Sequence, residues 1–154
     1  MNELKKLFVL SWLALITALI AVNSQAQEGI SIEERGYRVF YSVFNSTMLT
    51  PEIAEINGFV RDKDRALLNI VVTQVEAGSQ SLGVPATLKG EAVNLMQQSQ
   101  PLKFKEIREQ NTVYYLAPVR HINEEMYKFS IEVTPEGLES PILLEFTKKL
   151  YVEL

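Results

Sequence analysis

Beyond residue 36 the chain alternates apolar and polar residues with the two-residue period of half-buried β-strands. In Met126–Thr134, "MYKFSIEVT", Tyr127, Phe129, Ile131 and Val133 fall on one face, and Lys128, Ser130, Glu132 and Thr134 on the other. Arg65–Glu76 repeats the pattern: Ala66, Leu68, Ile70 and Val72 share an apolar face opposite Asn69 and Thr73. Tyr37–Asn45, "YRVFYSVFN", is aromatic or β-branched on both faces and predicts a strand covered on both sides. "LKFKEIRE" and "TVYYLAPVR" flank Gln110-Asn111 and predict a hairpin. In Pro85–Gln97 the alternation holds through Ala92, and then Val93 and Leu95 change phase, which predicts a β-bulge. Ile142–Val152 reads as the last strand. There Lys148 shares the parity of Ile142, Leu144, Phe146 and Leu150, so either a bulge turns it outward or its stem lies along the sandwich rim.

About seven strands with regularly spaced turns predict an all-β fold, a single immunoglobulin-like antiparallel β-sandwich over residues 37–154. Residues 27–36, short and acidic, read as a loose lead-in. The lone Trp12 lies near the N-terminus and there is no cysteine, so the tryptophan-and-disulfide core of antibody domains is absent.

One segment breaks the pattern. Thr50-Pro51-Glu52 combines a hydroxyl cap, proline at the first helical position and an acid in the first turn. Ile53, Ala54 and Ile56 supply an apolar side, and Asn57-Gly58 tolerates the left-handed conformation that ends a helix. A helix this short is stable only if it packs. It is therefore expected in the crossover after the first strand, against the end or edge of the sandwich. It either shields an edge or plugs the core there, or it carries a binding loop.

The N-terminus changes the picture of compartment. Lys5 and Lys6 precede an apolar run of 16 residues, Leu7–Val22, and then Ser24-Gln25-Ala26. A basic start, an apolar stretch and small residues at alternate positions describe a secretory signal peptide over 1–26, cut between Ala26 and Gln27. The run is short of the roughly 20 apolar residues that a membrane-spanning helix needs. No cysteine follows it, so no lipoprotein anchor is expected. Without Lys5, Lys6 and Glu3, the 15 basic and 19 acidic residues become 13 and 18, a balance of −5. Such a chain lacks the positive face that nucleic acid or anionic lipid requires. The reading is a periplasmic protein with no stable membrane anchor.

The stretch "FNSTMLTPEIAEINGFVRDKDRALLNIVV", with "QPLKFKEIRE", "YYLAPVR" and "PILLEFTKKLYVEL", resembles a family of small exported proteins of Gram-negative bacteria, domain of unknown function 4426. The resemblance covers nearly all of the chain after the leader. It implies a periplasmic setting and one β-rich domain, and it carries no catalytic residues over.

Candidate chemistry is sparse. His121, the sole histidine, reads as an exposed loop residue beside Glu124 and Glu125. One histidine with no G-x-S-x-G turn offers no nucleophile triad. Met48, Met96 and Met126 are scattered and lack the clustering of copper ligands. Asp62 and Asp64 in "RDKDR" lack calcium-loop spacing. The pairs Glu33-Glu34 and Glu124-Glu125 point to opposite sides of an extended chain, unlike a glycosidase couple. No catalytic, cofactor or metal residue is expected. Asn45, Ser46 and Thr47, polar groups at a strand exit, are the candidate partner contacts. The expected function is a non-catalytic binding or accessory module for an envelope protein or component. Copper handling is the first alternative, and an enzyme of unknown class the second.

Overall fold

The computed structural model describes residues 31–75 and 83–153. The leader predicted over 1–26, with its expected cut between Ala26 and Gln27, and residues 76–82 lie outside the described residues.

Nine strands and one short helix make up the described chain: β1 (Ser31–Glu34), β2 (Tyr37–Asn45), α1 (Pro51–Asn57), β3 (Arg65–Gln74), β4 (Ala86–Asn94), β5 (Ser99–Pro101), β6 (Lys105–Glu109), β7 (Thr112–Arg120), β8 (Glu125–Pro135) and β9 (Ile142–Leu150). They form two antiparallel sheets, in the orders β1-β2-β3-β7-β6 and β5-β4-β8-β9. The β-sandwich predicted from the strand pattern is therefore present. Without the short edge strands β1 and β5, the orders β2-β3-β7-β6 and β4-β8-β9 are those of the seven-stranded immunoglobulin sandwich.

The two additional strands are edge pieces too short to carry an alternating signal. β1 falls in the expected lead-in and pairs with β2 from Ser31↔Phe40 to Glu34↔Tyr37. Its turn is Arg35-Gly36, with φ of 51° and 80°, the two positive values of the tight hairpin turn that matches strand twist. Arg35 also bonds Ser140 and the Pro141 carbonyl, fastening this turn to the start of β9.

The core lies between the sheets and is built from the predicted faces. Ala66, Leu68, Ile70 and Val72 of β3 have no solvent exposure, and Phe129, Ile131 and Val133 of β8 oppose them. Phe146 of β9 stacks on Tyr41 of β2 at 4.4 Å and on Phe129 at 4.7 Å, locking the sheets face to face.

The bulge predicted in β4 is absent, and of the two alternatives for Lys148 the rim position is the one found. β4 pairs with β8 without interruption from Ala86↔Pro135 to Asn94↔Tyr127, so no bulge occurs. The phase is kept because the inward position after Ala92 is Asn94, a buried amide. Asn94 bonds Gln98 and Glu125, and its carbonyl caps the amides of Met96 and Gln98. Satisfied in this way, a polar residue occupies a core position and the alternation becomes illegible. β9 likewise pairs without a break from Glu125↔Leu150 to Val133↔Ile142, so Lys148 keeps its inward parity and lies half-buried at the rim.

Candidate functional site

β2 and β3 are hydrogen-bonded neighbours from Tyr37↔Gln74 to Asn45↔Ala66. The intervening residues 46–64 are thus a long excursion from a hairpin rather than a crossover between sheets. A 3-10 turn, Ser46–Met48, opens it and α1 follows. The Thr50 hydroxyl accepts the Ile53 amide at 3.3 Å, and Gly58, at φ 68°, closes the helix by donating toward the Ala54 and Glu55 carbonyls. Phe59 adds a bond from its amide to the Ala54 carbonyl at 2.8 Å, which is the paired C-cap of a helix that stops on glycine.

The polar residues at the strand exit fasten this excursion to the sandwich. Ser46 is fully buried, and its hydroxyl both donates to the Asp62 carbonyl and accepts from the Asp62 amide, each at 3.0 Å. Thr47 donates to the Glu153 carboxylate, Asn45 bonds the same group, and together they hold its pKa below the usual carboxylate value. Arg61 donates to the Thr47 carbonyl at 3.0 Å. Lys105 of β6, which pairs with Leu116 on the outer side of the first sheet, donates to the Asn57 carbonyl at 2.5 Å and lies 5.8 Å from the Phe59 ring. The C-terminal end of α1 is therefore tied over the outer face of that sheet.

This placement overturns the expectation that the apolar side of α1 is buried. Ala54 is the helix residue that is buried, whereas Ile53 is 43% and Ile56 80% exposed. The tethers at Ser46 and Lys105 hold the helix, so its rotation need not hide the isoleucines. Met48 and Val60, on either side of α1, are exposed as well. So are Leu95 and Met96 in the β4–β5 turn, Ile122 in the β7–β8 loop and Tyr151 beyond β9. All of these loops open at the same end of the sandwich, because Asn45↔Ala66, Arg65↔Arg120, Asn94↔Tyr127 and Glu125↔Leu150 are terminal pairs of their ladders. Among the described residues, large exposed apolar side chains elsewhere are Val75 and Leu143.

His121 is 3% exposed, contrary to the loop position expected for it. It continues the inward parity of Val119. Its amide bonds the Asp64 carbonyl at 2.9 Å, and Nδ1 lies 3.2 Å from the Ile122 carbonyl. No group of three histidine, aspartate or glutamate residues gathers among the described residues. Glu33 pairs with Arg38, Glu124 with Lys149, and Asp64 with Arg120.

Two concavities were not foreseen. A depression of about 480 Å³ on the outer face of the second sheet runs over Gly90, Ile131 and Leu143 between Glu91, Glu132 and Glu145. At the end away from α1, a cleft of about 650 Å³ opens between β6 and the start of β4. There Glu106 and Arg108, paired at 2.5 Å, stand opposite Tyr115 and Val113 and so point inward from an edge strand. The Tyr115 hydroxyl donates to Glu106 and accepts the Ala86 amide. Burial raises the Tyr115 pKa, and the bond from Arg108 lowers that of Glu106. Inward charges on an edge strand discourage further strand pairing, and that accounts for this cleft without a ligand.

With this geometry the chain can be set beside known proteins. The family model for domain of unknown function 4426 matches residues 32–153. The chain belongs to this family. A solved DUF4426 family protein, PA0388 from Pseudomonas aeruginosa PAO1, is 29% identical over 84% of this chain and 99% of its own, with a TM-score of 0.71. FetP of uropathogenic Escherichia coli strain F11, expressed in the periplasm for its structure, is 13% identical over 82% of this chain and 95% of its own, with a TM-score of 0.59. A copper-bound variant of Campylobacter jejuni P19 is 11% identical over 79% of this chain and 94% of its own, with a TM-score of 0.54. These last two likenesses concern the fold. No curated protein gives a significant match. Among the described residues no helix is long and apolar enough to cross a membrane.

Proposed function

We propose that the protein is an exported, non-catalytic interaction module of the cell envelope that docks a partner at the α1 end of the sandwich. The observation that carries this reading is the exposure of Ile53 and Ile56 on a helix held rigidly by tethers at both sides. Exposed apolar groups gathered at one place on a soluble domain mark contact surfaces, and loops on a fixed scaffold are the usual carriers of binding. The Asn45-Ser46-Thr47 stretch serves this role by positioning the excursion, since the Ser46 and Thr47 hydroxyls already have partners within the chain.

A photo-crosslinking residue placed at Val60 in cells tests the reading, with the same residue at Val75 as control. Adducts are expected at 60 and not at 75. They should disappear in Ile53→Glu/Ile56→Glu at unchanged melting temperature. Equal adducts at both sites, or adducts insensitive to the double substitution, overturn it. The periplasmic location predicts an intact mass beginning at Gln27 in the periplasmic fraction. A chain that keeps Leu7–Val22 and sediments with membranes contradicts the location.

Copper handling is a second reading, supported by the fold likeness to copper-bound variants of FetP and P19. Against it stand a single, buried histidine and the lack of a three-residue ligand group among the described residues. Copper bound only by the native state raises the melting temperature. No such rise is expected here, and stoichiometric binding with stabilisation would reverse the order of the two readings.

A further inference from the structure

The charges beside the exposed isoleucines say what kind of partner fits them. On α1, residues three apart stack on one face, so Ile53 and Ile56 form one row and Glu52 and Glu55 the row next to it. Both glutamates are exposed, and the Glu55 carboxylate has no hydrogen-bond or ion-pair partner among the described residues. Glu52 bonds its own backbone and Thr50, and with Arg61 nearby it ionises more readily than an ordinary glutamate. The cations around the helix donate to carbonyl oxygens, Arg61 to Thr47 and Lys105 to Asn57, and neither forms an ion pair with Glu52 or Glu55. Lys63, without a described partner, stands in the turn that feeds β3, beyond the helix. The solvent side of α1 therefore presents an apolar row bordered by an acidic row, in which Glu52 has Arg61 nearby and the Glu55 carboxylate is unpaired among the described residues.

We propose that this face takes a basic amphipathic protein segment, one that sets apolar side chains on Ile53 and Ile56 and lysines or arginines against Glu52 and Glu55. The inference rests on the docking role proposed above and adds the partner's chemistry. Complementary charge at the rim of an apolar contact chiefly sets encounter rate, salt dependence and choice of partner. A basic segment would gain from both rows, whereas an acidic one would face like charge across the contact.

The protein from Gln27 onward is titrated with a synthetic amphipathic helix bearing leucines on one face and lysines on the other. Its leucine–glutamate counterpart and vesicles of zwitterionic and anionic lipid are titrated in parallel. The lysine peptide is expected to bind, with amide shifts centred on Glu52–Asn57 and an affinity that falls as salt is raised. Glu55→Lys should weaken it about tenfold, and Glu55→Gln less, at unchanged melting temperature. Shifts centred elsewhere, equal binding of the glutamate peptide, indifference to Glu55→Lys, or binding to vesicles in place of the lysine peptide would each overturn the proposal. The two readings fail separately. If Ile53→Glu/Ile56→Glu abolishes the crosslinks at Val60 while Glu55→Lys leaves them intact, docking stands and the basic partner falls.

Discussion

At the scale of single residues, the excursion depends on a few hydroxyls whose burial differs sharply. Ser46 is fully buried and serves Asp62 at both its amide and its carbonyl. Ser46→Ala leaves the Asp62 amide unpaired, while the Asp62 carbonyl keeps the Arg65 amide, and should cost about 1–3 kcal/mol in denaturant unfolding. Thr50 caps α1 in an exposed position, so Thr50→Ala should cost nearer 1 kcal/mol. Thr47 acts on charge. Its bond to Glu153, with that from Asn45, lowers the folded pKa of the carboxyl. The stabilisation that accompanies a depressed carboxylate is present above the unfolded pKa and fades as pH falls through the folded one. In Thr47→Ala, the Glu153 carboxyl should therefore titrate at higher pH, as followed by NMR of the side-chain carbonyl. An unchanged midpoint would mean that the Thr47 bond does not persist in solution.

At the scale of elements, α1 and β4 make opposite predictions about size. Ile56 projects into water, so Ile56→Ala should change the unfolding free energy by less than about 0.5 kcal/mol, against the several kcal/mol that deleting a buried isoleucine side chain costs. A large loss would place Ile56 in a contact that the fold described here lacks. Gly90 in β4 is the reverse case. A Cβ there would lie 2.6 Å from the Ser130 carbonyl oxygen and 3.0 Å from the Ile131 Cα, both backbone atoms of the paired strand. Gly90→Ala should then cost about 1–3 kcal/mol through forced displacement of β8. In the sequence this glycine looks like one more small residue in an alternating run. Its reason is the closeness of a strand about 40 positions away.

At the scale of the whole molecule, the two sheets of the described residues end in four edge strands, and the chain treats them differently. β1 and β5 are short, and β6 turns Glu106 and Arg108 inward. β9 is the long edge, nine residues, and it carries Lys148 at an inward position. An inward-pointing charge on an edge strand penalises the addition of another strand. Lys148→Leu should raise the rate of association on mild heating, seen by light scattering, while monomer stability stays the same or increases. If the variant remains as monodisperse as the unsubstituted protein under the same heating, Lys148 is packing filler only.

Much of the architecture was determined by sequence alone, because strand periodicity is a local property of the chain. Ala66, Leu68, Ile70, Phe129 and Val133 occupy the core that their alternation predicts, and Thr50, Pro51 and Gly58 bound the helix as their capping chemistry requires. Tertiary structure decided what depends on distant partners. Asn94 keeps β4 in phase because Glu125 and Gln98 satisfy it. His121 is buried because its backbone joins Asp64 at the sheet end. The fate of Ile53 and Ile56 was the least legible. A short helix carries only one or two apolar residues per turn, and its rotation is set by what holds it in place. Here Ser46 meets Asp62 and Lys105 meets Asn57, contacts that span 16 and 48 positions, and they turn Ala54 inward and leave the isoleucines facing water.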